Sequence, residues 1–195
     1  MSVIYLIRHG RTDANRKRLY CGATDVPLDA EGVSELQSLR DKGGYPLSDG
    51  LMTITSGLKR AVQTFEVLFG KYPAAAVSGL REMDFGRFEM HSYDELKNDP
   101  DYQAWIKDET GDARCPDGES SNEFCRRVYA AFDALAAMEE DAVVVCHGGV
   151  ISRIMARLFP GEGRNFYEWQ PPAGHGYAIT DPTKKTRSFS GIPKQ

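Results

Sequence analysis

Val3-Ile4-Tyr5-Leu6-Ile7-Arg8-His9-Gly10 is an apolar run that stops on a cation, an imidazole and a glycine. Far along the chain, Ala142-Val143-Val144-Val145-Cys146-His147-Gly148-Gly149 repeats the pattern. Short apolar runs rich in β-branched residues and closed by glycine read as buried strands. Each of these carries a histidine at its C-terminal edge, which is where open α/β sheets bind ligands, in the crevice beyond the strand ends. The two imidazoles can face one another there, and one can act as a nucleophile.

Working outward, Leu51–Thr55, a weaker Ala74–Ser78 and Tyr177–Thr180 are further strand candidates. Helical patterns fall over Ala30–Lys42, Lys59–Phe69, Ser92–Lys107, Ser120–Met138 and Gly148–Leu158. This alternation implies an α/β protein, a three-layer α/β/α sandwich on a central, mostly parallel sheet. The clearest helix signature is Ser120 with Glu123, a capping box ahead of the apolar stripe Phe124, Val128, Ala131, Phe132 and Leu135. A single domain is expected over residues 1–180. Residues 83–118, where Tyr93, Tyr102 and Trp105 stand among acids, read as an excursion from the sheet that covers the mouth of the crevice. Residues 181–195 lack apolar periodicity and read as a tail with partial disorder.

Two features make the crevice a place for an anion. Gly148 and Gly149 open the helix marked by Val150, Ile151, Ile154, Met155 and Leu158, whose first N–H groups point into it. In Thr55-Ser56-Gly57-Leu58-Lys59-Arg60, Ser56 reads as the N-cap and Arg60 falls in the first turn. A cation there opposes the helix dipole and is better understood if it points at an anion.

A length of 195 residues, 41% hydrophobic and 27% charged, is ordinary for a globular domain, and a formal charge of −4 argues against a broad basic face for nucleic acid. Arg16-Lys17-Arg18 and Lys184-Lys185-Thr186-Arg187 read as solvated surface. No apolar stretch approaches the length of a membrane span and no targeting pattern is present, so a cytoplasmic protein without a membrane partner is expected. Cys21, Cys115, Cys125 and Cys146 make no Cys-x-x-Cys pair and no zinc-spaced cluster. Reduced thiols, with no metal site and no other cofactor, are the expectation.

With these residues assembled, the chain resembles the histidine phosphatase superfamily, the phosphoglycerate-mutase-like group. The resemblance runs in order through Leu6-Ile7-Arg8-His9-Gly10-Arg11-Thr12 with Asn15, and Gly22-Ala23-Thr24-Asp25-Val26-Pro27-Leu28 with Gly32. It continues through Ser56-Gly57-Leu58-Lys59-Arg60-Ala61 with Gln63-Thr64, Leu80-Arg81-Glu82 with Phe85-Gly86 and Glu89, Gly118-Glu119-Ser120 with Arg127-Val128, and His147-Gly148-Gly149. It implies a phosphoglycerate-mutase-like fold and metal-independent hydrolysis of a small-molecule phosphate monoester through a phosphohistidine. The branch it resembles is that of small-molecule phosphatases acting on compounds such as α-ribazole-5′-phosphate.

Under that resemblance His9 is the nucleophile, and Arg8 and Arg60 beside it lower its pKa by like-charge repulsion, keeping the ring neutral near pH 7. Arg8, Arg60 and His147 hold the phosphoryl oxygens, with Asn15, Gly22 and Gly148 completing the substrate contacts. Each close cation–phosphate pair is worth about 4 kcal/mol near 4 Å at an effective dielectric of about 20, before desolvation. Glu82 is the proton donor to the leaving alkoxide, because the bound dianion favours its neutral form. Asp84 and Glu89 are alternatives for that task, and an ion pair with Arg81 or a helix cap is the non-catalytic alternative for Glu82. Glu119 reads as serving the start of the Ser120 helix, Gln63 and Thr64 as packing or supporting bonds, His175 as solvent-facing and His91 as a mouth residue.

Departures from the group's pattern bear on the reaction. Its mutases carry a longer, arginine-rich insertion after the acid, whereas residues 99–116 here hold only Lys107 and Arg114 among more numerous acids. The mutases usually read His-Gly-Asn-Ser where this chain has His147-Gly148-Gly149-Val150. Both departures favour hydrolysis; a cofactor-dependent phosphoglycerate mutase is the alternative, and a non-catalytic phospho-ligand or protein-binding module a further one. Arg11 stands where relatives commonly have Glu or Gln, and Met90 where many have Gly, which predicts a more cationic and narrower mouth. The sequence names neither the natural substrate nor an oligomeric state.

Overall fold

The computed structural model describes residues 1–46 and 50–193. Its strands are β1 (Val3–Arg8), β2 (Met52–Thr55), β3 (Ala75–Ala76), β4 (Ala142–Cys146), β5 (Gly176–Thr180) and β6 (Ser188–Ile192). They form one six-stranded sheet in the order β3-β2-β4-β1-β5-β6. The first four lie parallel to one another, while β5 runs antiparallel to β1 and β6 antiparallel to β5. The helices are α1 (Asp13–Arg16), α2 (Ala30–Lys42), α3 (Lys59–Phe69), α4 (Tyr93–Leu96), α5 (Pro100–Ile106), α6 (Ser121–Ala136) and α7 (Gly148–Leu158).

Alternation along the two central strands divides the core into the two faces of the sheet. Ile4 and Leu6 of β1 join Ala142, Val144 and Cys146 of β4 on one face, against Phe124 and Val128 of α6 and Ile151 and Ile154 of α7. Ile7, Val143 and Val145 point the other way, onto Leu36 of α2 and Ala61 and Phe65 of α3. Burial of such side chains contributes roughly 1.5–3 kcal/mol each, and the result is the expected α/β/α layering. The connection after β1 thus leads to a helix on one face and the connection after the adjacent β4 to a helix on the other. Neighbouring strands whose chains leave in opposite directions open a crevice between them, the position where α/β sheets take ligands.

Two expectations are corrected and a third gains detail. The helix expected over Ser92–Lys107 is two helices, because Pro100 lacks an N–H to continue the first and begins the second, with Asp99 as N-cap accepting from Asp101 and Tyr102 at 2.8 and 3.1 Å. Residues 83–118 hold no strand of the sheet, and their Phe88, Tyr102 and Cys115 are fully buried within the cluster that holds α6 and α7. The stretch expected as a disordered tail supplies β6, whose Phe189 packs against Phe159, Trp169 and Tyr177. An edge strand of mostly serine and glycine is held by its backbone ladder to β5, which no side-chain pattern announces; residues 194–195 of that tail lie outside the described residues.

Candidate active site

Strand register places the two histidines. Arg8 of β1 pairs with Cys146 of β4, so His9 and His147 leave the sheet at the same level, and the His9 N–H donates to the Cys146 carbonyl at 2.9 Å. Their ring centroids are 5.1 Å apart. Thr55 of β2 pairs with Val145, which brings Ser56 up to His147 from the other side. Behind His9, the Gly10 N–H donates to Thr64 Oγ1 at 2.8 Å, and that hydroxyl donates to the Arg60 carbonyl at 2.6 Å, tying the loop to α3.

A carbonyl partner fixes the proton of the first imidazole. His9 Nδ1 lies 2.7 Å from the Gly10 carbonyl, an acceptor only, so Nδ1 carries the hydrogen and Nε2 holds the free lone pair. His147 Nε2 lies 2.8 Å from Ser56 Oγ, which also accepts from the Leu58 N–H at 3.4 Å; with the hydroxyl as donor, the His147 proton sits on Nδ1. Burial, and then the charges of Arg60 and Arg8, hold the His9 pKa well below the usual histidine value, against a smaller upward pull from the Gly10 carbonyl. Burial likewise keeps His147 neutral, helped by His9, Arg60, Arg127 and Arg8.

Three of the polar atoms left without a partner among the described residues belong to this cluster. They are Arg8 Nε, Arg60 Nε and His147 Nδ1, all buried. Arg60 is only 1% exposed, and its fork reaches the Gly22 and Thr24 carbonyls at 2.7 and 2.9 Å. Arg8 donates to the Pro171 carbonyl at 2.8 Å, and burial draws its pKa down against the upward pull of Glu82. Native proteins rarely leave buried polar atoms unmet, and three on side chains grouped about His9 mark a place for an oxyanion.

Glu82 stands at the N-terminus of α7. Its Oε2 accepts from the Gly149 N–H at 2.8 Å and its Oε1 from the Met83 N–H at 3.0 Å, leaving each oxygen a second lone pair. Glycine at 149 leaves room for this carboxyl, since a Cβ there would overlap Glu82 Oε1 and push it aside. Beside this carboxyl lies a cavity of about 440 Å³, walled largely by Tyr20, Phe85, Trp105, Phe124, Phe166 and Tyr167. Among the described residues no three His, Cys, Asp or Glu side chains converge as metal ligands, and no helix is long and apolar enough to cross a membrane.

Around the neutral His9 imidazole stand the buried Arg60 and His147 and the half-buried Arg8, and comparison with known proteins names the family. Residues 4–189 match the model of the histidine phosphatase superfamily, branch 1. The chain belongs to the histidine phosphatase superfamily. It is 34% identical over 164 residues to the adenosylcobalamin/alpha-ribazole phosphatase of Escherichia coli, covering 80% of this chain and 78% of that protein. It is also 34% identical over 166 residues to a probable phosphoglycerate mutase of Proteus mirabilis, covering 81% and 75%. Among solved structures it is similar to the alpha-ribazole phosphatase of Shigella flexneri, with a TM-score of 0.79 and 30% identity over 91% of this chain and 90% of that one. Its class is thus that of a phosphatase enzyme on a phosphoglycerate-mutase-like fold.

In this histidine phosphatase the structure brings Arg8, His9, Arg60 and His147 together, with Glu82 on the N-terminus of α7. The other residues expected to touch substrate have bonds within the fold as well. Gly22 is part of the scaffold: its N–H donates to Glu89, its carbonyl accepts from Arg60, and a Cβ would overlap the Met83 carbonyl oxygen. Gly148 packs on Gln170, and it is the next amide that holds Glu82. Asn15 Oδ1 closes a capping box with the Thr12 N–H and hydroxyl, so only its amide hydrogens remain to donate. Ser56 is not an N-cap, since the cap position of α3 is Leu58; it orients His147 instead.

Both alternatives to Glu82 are committed elsewhere. Glu89 gathers the N–H groups of Gly22, Ala23, Thr24 and Phe85, and Asp84 accepts from the Gly86 N–H. Glu119 serves neither the helix start nor the site directly. It accepts from the Asp84 N–H and pairs with Arg127 at 2.6 Å, and that guanidinium in turn donates to the carbonyls of Gly79, Arg81 and Glu82 at 3.1, 2.7 and 2.8 Å. The isolated Arg127-Val128 match was the only sequence sign of this clamp. Arg11 does not make the mouth cationic: it pairs with Asp29, Glu31 and Glu35 at the start of α2. Met90 sits at φ +60°, a left-handed backbone that favours glycine. His91 is exposed and His175 half-buried, each with Nδ1 on a nearby carbonyl.

Proposed function

We propose that this protein hydrolyses a small-molecule phosphate monoester through a phosphohistidine on His9, with α-ribazole-5′-phosphate the first substrate to test. The observation that carries this reading is the trio of buried, partnerless donors around a neutral imidazole whose Nε2 is free. Nε2 attacks phosphorus in line, and Arg8, Arg60 and His147 hold the three equatorial oxygens where charge spreads in the transition state. Glu82 gives its proton to the departing alkoxide, a step that typically contributes roughly 10²–10⁴ in rate. Water then enters the vacated position, Glu82 takes a proton from it, the P–N bond breaks, and orthophosphate leaves. The side chains named carry the charge, so hydrolysis independent of metal is part of the proposal.

The aromatic walls beside Glu82 suit a fused aromatic base linked through ribose to the phosphate, the chemistry of α-ribazole-5′-phosphate. The second reading, phosphoglycerate mutase, has the support of relatives bearing that name, but six aromatic side chains line the cavity, and among the described residues Arg153 is the single cation on it, where a carboxylate would call for a cluster. Four free thiols favour a reducing compartment, which agrees with a cytoplasmic enzyme. The test is phosphate release in excess EDTA across phosphorylated metabolites, with rapid quenching to trap label on His9. Selective hydrolysis with labelled His9 is expected. Interconversion of 3- and 2-phosphoglycerate without net release would overturn the reading in favour of the mutase.

A further inference from the structure

Outside the phosphoryl cluster, one buried polar atom without a partner among the described residues belongs to a side chain that lines the cavity beside Glu82. It is Nε of Arg153. Arg153 follows Gly149 by four residues on α7, so the two share a face of the helix, with Arg153 about 6 Å further along the axis. Gly149 holds Glu82, and all three residues line the same cavity. The Arg153 guanidinium lies over the Phe166 ring, its carbon 4.9 Å from the centroid, a contact that holds the side chain against the cavity wall. Arg157, one turn on, is used differently: it faces outward and pairs with Asp133 at 2.9 Å.

We propose that Arg153 is a specificity-determining residue, which selects leaving groups that carry a planar base by donating from Nε–H to an acceptor on that group while the base lies against the aromatic walls. This rests on the hydrolase reading above and adds which residue chooses the alcohol. The partner of Nε–H must be an acceptor, an oxygen or an unprotonated ring nitrogen, because arginine has only donors. A plain sugar phosphate reaches His9 and Glu82 equally well but leaves the aromatic walls uncovered. Lysine cannot replace Arg153, since its point charge has neither the flat stack on Phe166 nor a donor at the Nε position.

The experiment compares α-ribazole-5′-phosphate with ribose 5-phosphate, whose leaving alcohols differ in the base alone. Arg153→Met and Arg153→Lys are measured beside the wild type, with melting curves to check folding and Arg153→Gln in reserve. The ratio of kcat/KM between the two substrates is expected to fall about tenfold or more in Arg153→Met, the range for a hydrogen bond from a charged donor, and to fall through KM. Arg153→Lys should not restore it. An unchanged ratio overturns the proposal, as does full rescue by lysine, which would make charge alone the selector. Titration of free α-ribazole into wild type and Arg153→Met, read by calorimetry, decides the point without turnover. If the wild type hydrolyses neither substrate, the hydrolase reading fails, and weaker nucleoside binding by the variant still supports Arg153 while equal binding overturns it.

Discussion

The phosphoryl pocket and the leaving-group cavity share Glu82 but are made differently. The pocket sits on the ends of adjacent parallel strands, with His9, Arg60 and His147 almost wholly buried and each tied to backbone or to Ser56. The cavity is walled by loops and by the 83–118 excursion, with half-exposed rings and with Tyr167 78% exposed at its rim. A strand edge fixes geometry through the sheet's hydrogen bonds, so the pocket can hold reacting atoms to fractions of an ångström. Loop walls can be recast without disturbing the sheet, which suits a region that chooses among alcohols.

If the pocket alone carries the chemistry, its removal should be near-total and fold-neutral. His9→Ala is expected to lower kcat by at least about 10⁴-fold, the scale of nucleophile deletion, with a melting curve close to wild type. Glu82→Gln should lower kcat for alkyl phosphates about 10²-fold or more, and far less for p-nitrophenyl phosphate, whose leaving group scarcely needs a proton. Equal losses on both substrates would move the acid elsewhere and detach the cavity from the catalytic step.

The join between the two regions is tested through Arg127. Arg127→Met removes the donors to three carbonyls ahead of and at Glu82, and should cost about 2–3 kcal/mol in denaturant unfolding, with kcat falling more than KM changes. Next in size is a pH effect peculiar to the pocket. His9 and His147 have folded pKa values held well below 6.5, so below pH 6.5 the unfolded chain binds protons that the folded one refuses. Their contribution is complete above that pH and is lost as pH falls, at up to about 1.4 kcal/mol per pH unit for each histidine. Unfolding between pH 7 and 5 should show this slope, and His9→Ala should reduce it. Smallest is Gly149→Ala, whose methyl group would displace the flexible Glu82 carboxyl and should lower kcat about tenfold on alkyl substrates with little change in stability.

The pocket was legible because strand runs, the histidines behind them and Arg60 in a helix's first turn are local patterns. Glu82 could be picked as the acid from its family motif, but its seat on Gly149 depends on a 67-residue separation closed only by folding. The roles of Ser56, Arg127 and Glu119 were misread or missed for the same reason: each bonds to a segment remote in sequence, and a serine, arginine or glutamate near a helix start has an ordinary local explanation. Arg11 was misread in the opposite sense, since its acids lie on α2 and cancel the charge it was expected to show.

By itself the sequence determined the α/β alternation, the two strand-ending histidines and the cations near them, because apolar period and turn chemistry act over a few residues. Tertiary structure alone decided the protonation of those rings, the placing of Glu82 on α7, the fate of β6 and the unmet Arg153 donor within an aromatic cavity. Those depend on burial and on long-range partners, which exist only once the sheet has brought distant segments together.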